Sequence, residues 1–222
     1  MNNSFNNTTY GREMDFRNSD RFRISSILNS LPNAGATILD IGSWDGTYAI
    51  LWRKQGNHVV CCESSILAGE IAKSKGLEVI VGDFPDALDD YDNKFDFVVA
   101  GEVVEHIFDT DQFVRTIYQV LKPGGTIIIT TPNVASIARR LMLLFGVNPF
   151  LEARVIPNIS SGHIRYFTFR DMHELLIENN FLEVELTSDC VNLSASGELA
   201  IPHPTLLKKY GRCIIATAKK MK

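Results

Sequence analysis

The amino-acid sequence predicts a doubly wound α/β domain, with a mostly parallel seven-stranded sheet covered by helices on both faces and an antiparallel edge hairpin at the C-terminus. Three observations carry that prediction. From residue 37 to residue 145, short apolar runs alternate with segments of helical periodicity, the pattern of parallel strands joined by right-handed helical crossovers. The first run, Thr37-Ile38-Leu39-Asp40-Ile41, ends in Gly42-Ser43-Trp44-Asp45-Gly46, so a buried strand delivers a tight loop into a helix. The last two strand-like runs, 181–190 and 212–218, have no helix between them and should pair antiparallel.

Taken in chain order, residues 1–19 are polar, Asn/Thr-rich and aperiodic, the composition of a flexible tail, and residues 20–222 read as one domain. Phe22, Ile24, Ile27, Leu28 and Leu31 keep one helical face until Pro32 and Gly35 end it. A helix over 47–55 leads to a strand at 58–62, and a helix over 65–75 leads to a strand at 77–81. The fourth strand is 95–100, residues 103–121 hold a turn and a helix, and Pro123-Gly124-Gly125 turns that helix into a fifth strand at 126–130. An amphipathic helix is expected over 133–145. The apolar stretch 141–162, broken by Gly146, Pro149 and Pro157, reads as a lid insertion. A homodimer contact through Phe145, Val147, Phe150 and Leu151 is the alternative. The last helix spans 169–179, with Thr168 as N-cap and Asp171 completing a capping box.

A chain of 222 residues, 45% of them apolar, can bury one sizeable core. The net charge of −4 and the scatter of Lys and Arg give no basic field, which excludes nucleic-acid partners. No apolar stretch approaches the roughly 20 residues that cross a bilayer, and no secretory h-region is present, so the expectation is a cytoplasmic protein with no membrane partner. Cys61, Cys62, Cys190 and Cys213 lack metal-site spacing and sit in apolar runs, as buried thiols do.

Doubly wound sheets bind ligands at the carboxyl ends of their strands. Acids recur there: Asp40 in the first strand, Glu63 after the second, Asp83 followed by Phe84 after the third, and Glu102 after the fourth. Gly42 permits the first turn, and Gly46 permits close approach of backbone to a ligand at a helix N-terminus. Each acid taken singly also reads as a helix cap or loop end. The spacing Gly-x-x-x-Gly is not the dinucleotide Gly-x-Gly-x-x-Gly, which argues against a nicotinamide oxidoreductase.

The acid-x-Gly-x-x-x-Gly order, followed by these strand ends, resembles the Rossmann-like class I S-adenosylmethionine-dependent methyltransferases over about residues 35–135. The segments Phe95 to Ile107 and Leu121-Lys122-Pro123-Gly124-Gly125-Thr126 continue the likeness. Gly162-His163-Ile164-Arg165-Tyr166-Phe167-Thr168, with Asp171, is similar to the subgroup of ubiquinone-biosynthesis O-methyltransferases and methionine-biosynthesis-W-like proteins. The resemblance implies S-adenosyl-L-methionine as cofactor, its methionine end held by the Gly42–Gly46 loop, its ribose by Glu63 and its adenine by Asp83 and Phe84. Trp44, standing where the family usually has glycine, is expected to line the cofactor cleft, and Glu102 completes the set. The implied function is methyl transfer to an oxygen or nitrogen of a small-molecule acceptor. A non-catalytic S-adenosylmethionine-binding partner subunit is the alternative.

Methyl transfer is an in-line displacement at a sulfonium carbon, so the protein supplies positioning and, for a hydroxyl acceptor, a base. His163 is assigned as base and His106 as the residue that positions the acceptor. Loop-carbonyl satisfaction by His163 and packing by His106 are the structural alternatives. If a helical turn begins after the fourth strand, Glu102, Glu105 and His106 at i, i+3 and i+4 share a face. That set suits a divalent cation, although the reading commits to no metal.

Overall fold

The computed structural model describes residues 20–149, 162–192 and 200–222. Strands Thr37–Ile41 (β1), His58–Glu63 (β2), Glu78–Val81 (β3), Phe95–Gly101 (β4) and Leu121–Pro132 (β5) run parallel. Helices Thr47–Lys54 (α2), Ile66–Ser74 (α3) and Thr110–Val120 (α4) fall between these strands, and Arg21–Ser30 (α1) precedes β1. After Ile137–Leu144 (α5) and Phe169–Glu178 (α6), the chain adds Leu182–Ser188 (β6) and Cys213–Lys219 (β9). The sheet order is β3-β2-β1-β4-β5-β9-β6, and β9 is antiparallel to both its neighbours. The seven-stranded, mostly parallel sheet with an antiparallel C-terminal pair is therefore present. The late strand does not form the edge itself: it slots between β5 and β6, pairing Thr130 with Ile215 on one side and Ser188 with Ile214 on the other.

Near-continuous apolar strands bury both faces of the sheet. On one face Ile127, Ile129, Val98 and Leu39 meet Phe113, Val114 and Ile117 of α4 and Met172 and Leu176 of α6. On the other, Ile38, Val99 and Ile128 meet Ile24 and Ile27 of α1, Trp52 of α2 and Ala72 of α3. Full burial of side chains of this size contributes about 1.5–3 kcal/mol each, so these two clusters fix the strand ends where a ligand would sit.

Two features differ from the sequence-based expectation. Helix α5 begins at Ile137 rather than near 133, because Asn133 is committed elsewhere: its Oδ1 accepts from Ala135 N at 2.9 Å and its Nδ2 donates to Gly211 O at 2.9 Å. That local turn competes with helix. A separate hairpin, Cys190–Asn192 (β7) with Ala200–Pro202 (β8), was not foreseen, since three-residue strands carry no readable period. In the first part of the expected lid, Leu141, Leu143, Leu144, Phe145 and Val147 are exposed. The rest of the expected lid, residues 150–161 with Phe150 and Leu151, lies outside the described residues, as do residues 1–19.

Candidate active site

The loop after β1 turns through three left-handed residues, Gly42 (φ 68°), Trp44 (φ 52°) and Gly46 (φ 75°). Glycine takes this conformation freely and tryptophan does so at a cost. The Trp44 backbone is held by Glu63: Oε2 accepts from Trp44 N at 2.9 Å, and Oε1 accepts from Ser65 N at 2.7 Å. The acid that ends β2 thus ties the β1 loop to the start of α3. Burial pushes the Glu63 carboxyl up from its ordinary value, against the pull of the Ser65 and Trp44 N–H groups. Gly46 serves packing: a Cβ there would fall on the side chain of Leu77, with Ala72 next to it. Gly42 is limited in the same way by Val103, whose Cγ2 would lie 2.5 Å from an added Cβ.

Asp40 does not face an open cleft. It is 5% exposed, and its Oδ2 accepts from Trp52 Nε1 at 3.2 Å. Burial raises its pKa to about 7, opposed by the Trp52 hydrogen bond and assisted by the charge of Glu63. Asp45, also buried, takes Lys75 Nζ at 2.7 Å and Thr47 N at 3.0 Å, pinning the loop from behind. At the end of β3, Gly82 N donates to Glu63 O at 3.1 Å, which brings the Asp83–Phe84 segment beside β2. Asp83 is exposed. The Phe84 ring packs on Phe113 with centroids 4.8 Å apart, so α4 takes one part of its surface.

Glu102 adopts φ 58° and turns away from the residues that follow it. Its Oε1 accepts from Thr130 Oγ1 and from the Cys213 thiol, both at 3.2 Å, and lies 3.8 Å from Arg23 Nη1. Burial works against its charge, but Arg23, the Cys213 hydrogen bond and Arg212 outweigh it and hold the carboxyl below its ordinary value. The network continues outward: Arg23 reaches Asp20 at 3.6 Å, and Arg212 Nε donates to the fully buried Asp189 at 2.9 Å. Arg139 joins the same rim, with Nη1 donating to Asn133 O at 2.7 Å.

The expected Glu102-Glu105-His106 face does not form. Only one 3₁₀ turn, Val104–His106, follows β4, and Glu102 belongs to the Arg23 network. The structure instead gathers Glu105, His106 and His163, each offering a ligand atom within 4.8 Å of the others. The His106 and His163 rings meet edge to face at 4.8 Å. His106 Nδ1 lies 3.2 Å from Gly162 O, which makes Nδ1 the protonated nitrogen. Glu105 is 1% exposed; its Oε2 accepts from Thr131 Oγ1 at 2.9 Å, and its Oε1 has no hydrogen-bond partner among the described residues. Burial and then the charge of Glu102 push Glu105 well above the ordinary carboxylate range. Its backbone carbonyl also accepts from Ile164 N at 2.9 Å and Arg165 N at 3.0 Å, so the segment carrying His163 is anchored on one residue. These atoms can bind and orient a hydroxyl, exchange a proton with it, or hold a cation.

Sequence reasoning missed Arg23, Arg139, Arg212 and Asp189. Arg23 did leave a signal, since it lies four residues before Ile27 and so on the apolar face of α1. The other three are brought in by long-range contacts that no local period encodes.

The comparisons with known proteins agree with this fold. A family model described as "Methyltransferase domain" matches residues 16–186. The mitochondrial ubiquinone biosynthesis O-methyltransferase of Mus musculus is 31% identical over 175 residues, covering 75% of this chain and 46% of that protein. The ubiquinone biosynthesis O-methyltransferase of Chelativorans sp. (strain BNC1) is 36% identical over 107 residues, covering 46% of this chain and 42% of its own length. The chain spans about half the length of the curated relatives it matches. Among solved structures, a SAM-dependent methyltransferase from Thermotoga maritima superposes with a TM-score of 0.68 at 20% identity, over 91% of both chains. Phosphoethanolamine N-methyltransferase 2 from Haemonchus contortus, in complex with S-adenosyl-L-methionine, gives 0.63 at 17% identity over 90% of this chain and 52% of the other. At those identities the structural likeness establishes the fold. The family model, covering most of the chain, establishes the rest: the protein belongs to the methyltransferase-domain family.

Proposed function

We propose that the protein transfers the methyl group of S-adenosyl-L-methionine to a hydroxyl of a small-molecule acceptor. One observation carries the reading: a carboxylate tied to the β1 loop, Glu63 on Trp44 N, shares the strand-end rim with a carboxyl-imidazole cluster, Glu105 with His106 and His163. The first arrangement suits a ribose and the second suits an acceptor that must lose a proton. The relatives named as O-methyltransferases support oxygen over nitrogen as the target.

In this reading Glu63 accepts the ribose hydroxyls, Trp44 and the Gly42–Gly46 loop border the methionine end, and Asp83 with the outer part of Phe84 borders the adenine. His106 places the acceptor and His163 takes its proton, while Glu105 keeps both imidazoles in position. The exposed Leu141, Leu143 and Leu144 of α5 border the acceptor as the start of a lid, and the exposed Phe145 and Val147 are also suited to a homodimer contact. Among the described residues no helix is long and apolar enough to cross a membrane. The four cysteines are free, buried thiols, which supports a reducing, cytoplasmic setting.

A specific observation favours a second reading at the same cluster. Glu105 Oε1, which has no hydrogen-bond partner among the described residues, fits a divalent cation together with one nitrogen from each histidine, and such a cation would polarise the acceptor oxygen. The test of the function is S-adenosylhomocysteine formation from S-adenosylmethionine with a panel of hydroxylated aromatic acceptors. Turnover that His163→Ala abolishes supports the reading. Tight S-adenosylhomocysteine binding with no turnover on any acceptor supports a cofactor-binding subunit instead.

A further inference from the structure

We propose that Arg139 receives an anionic group of the methyl acceptor, so that the acceptor is a hydroxyl compound that also carries a carboxylate or a phosphate ester. The proposal rests on the O-methyl reading above and adds the acceptor's charge to it. Three arginines surround the end of β4, and they differ in their partners. Arg23 has Asp20 and Glu102 within ion-pair distance, and Arg212 has Asp189 and Asp20. Among the described residues Arg139 has no carboxylate at that distance, and its side chain donates only to the backbone carbonyl of Asn133. A guanidinium presents five N–H donors, so most of its capacity is uncommitted.

The position is also a poor one for a structural arginine. Arg139 sits in the first turn of α5, which contains no acid, and a cation there opposes the helix dipole. Burial depresses its pKa, and Glu102 offsets this only from beyond contact distance. An incoming anion would relieve both effects. The surroundings point to the acceptor and not to the cofactor: Arg139 follows β5, two strands away from the β1 loop in the sheet order. Its electrostatic neighbours include Tyr166, three residues after His163 on the anchored segment. A hydroxyl near His163 and an anion at Arg139 would therefore belong to one molecule lying across the ends of β4 and β5.

The test uses the full chain saturated with S-adenosylhomocysteine and two matched pairs of probes: 3,4-dihydroxybenzoate with its methyl ester, and phenyl phosphate with phenol. Each pair differs in charge, and the two pairs separate a carboxylate from a phosphate source. By calorimetry, at least one anion should bind about tenfold or more tighter than its neutral mate, as a charge-assisted hydrogen bond to a partly buried guanidinium predicts. The preference should disappear in Arg139→Met and survive in part in Arg139→Lys, with S-adenosylhomocysteine affinity unchanged in both. In the unaltered protein, added salt should weaken the anion and leave the neutral mate unaffected. Anions that bind no tighter than their mates, a salt-independent preference, or a preference retained by Arg139→Met overturns the proposal. A preference without methyl transfer from S-adenosylmethionine leaves Arg139 in its role and overturns the O-methyl reading. Methyl transfer to neutral and anionic acceptors at equal rates does the reverse.

Discussion

Glu105 Oε1 and His163 Nε2 face one another across 3.8 Å, joining the turn after β4 to the segment that leads into α6. Thr131 holds one oxygen of that carboxyl, and the other faces the imidazole from beyond hydrogen-bond distance. His163→Ala should therefore lower kcat by roughly 10²-fold or more while leaving S-adenosylhomocysteine affinity nearly unchanged, measured on an acceptor found by the panel above. His106→Ala should have the smaller effect. If a chelator abolishes activity and Mg²⁺ restores it, both histidines and Glu105 act as ligands, and the two alanine variants should then lose activity together.

Glu63→Ala should weaken S-adenosylhomocysteine binding by about 1–3 kcal/mol, through loss of a charged acceptor for ribose and release of the Trp44 amide. Glu63→Gln, which retains one oxygen for the backbone, should fall between. Calorimetry reads both; an unchanged Kd in a folded Glu63→Ala protein removes Glu63 from the cofactor site.

Gly46→Ala should destabilise the fold by roughly 1–3 kcal/mol, since the position needs φ 75° and the added methyl meets Leu77. The same measurement on a double variant tells packing from backbone strain. Leu77→Ala opens the space, so Gly46→Ala should cost less in its presence. Simple additivity of the two denaturant midpoints would mean that the strain is purely backbone.

Asp40 makes stability depend on pH with a defined sign. Its folded-state pKa of about 7 stands above its ordinary value of 3.8, so the folded chain holds a proton that the unfolded chain releases. Its contribution is complete below about pH 4 and declines as pH rises to about 7. Asp40→Asn keeps an oxygen for Trp52 Nε1 and removes the titration. Unfolding free energies measured between pH 4 and pH 8 should thus fall less for the variant, by up to ~4 kcal/mol on the linkage relation. Parallel profiles would show that Asp40 titrates alike in both states.

The strand ends were legible because short apolar runs punctuated by acids and glycines encode them locally: Asp40, Glu63, Asp83 and Glu102 all lie where alternation placed them. Their partners were not legible. Asp40 turns to Trp52 and Glu102 to Arg23 because of which sheet face each side chain enters after the loop, and a left-handed residue at Glu102 reverses the direction that helical spacing implies. Likewise the sequence marks Glu105 and His106 as neighbours, while His163 joins them through backbone hydrogen bonds to Glu105 spanning almost sixty positions. The β7–β8 hairpin and Arg212–Asp189 are contacts of the same kind, too short or too distant in the chain to leave a period.

The seating of β9 between β5 and β6 sets the order of events during synthesis. Ribosomes deliver β5 and β6 well before residues 213–219, and until these arrive Ile127, Ile128 and Ile129 stand on a strand with one unpaired side. Closing so long a loop is slow, and an open apolar strand invites pairing with other chains. A message truncated ahead of Cys213 should consequently yield aggregate and no partly active enzyme, and newly made chains should depend on chaperones for the interval in which the gap stays open.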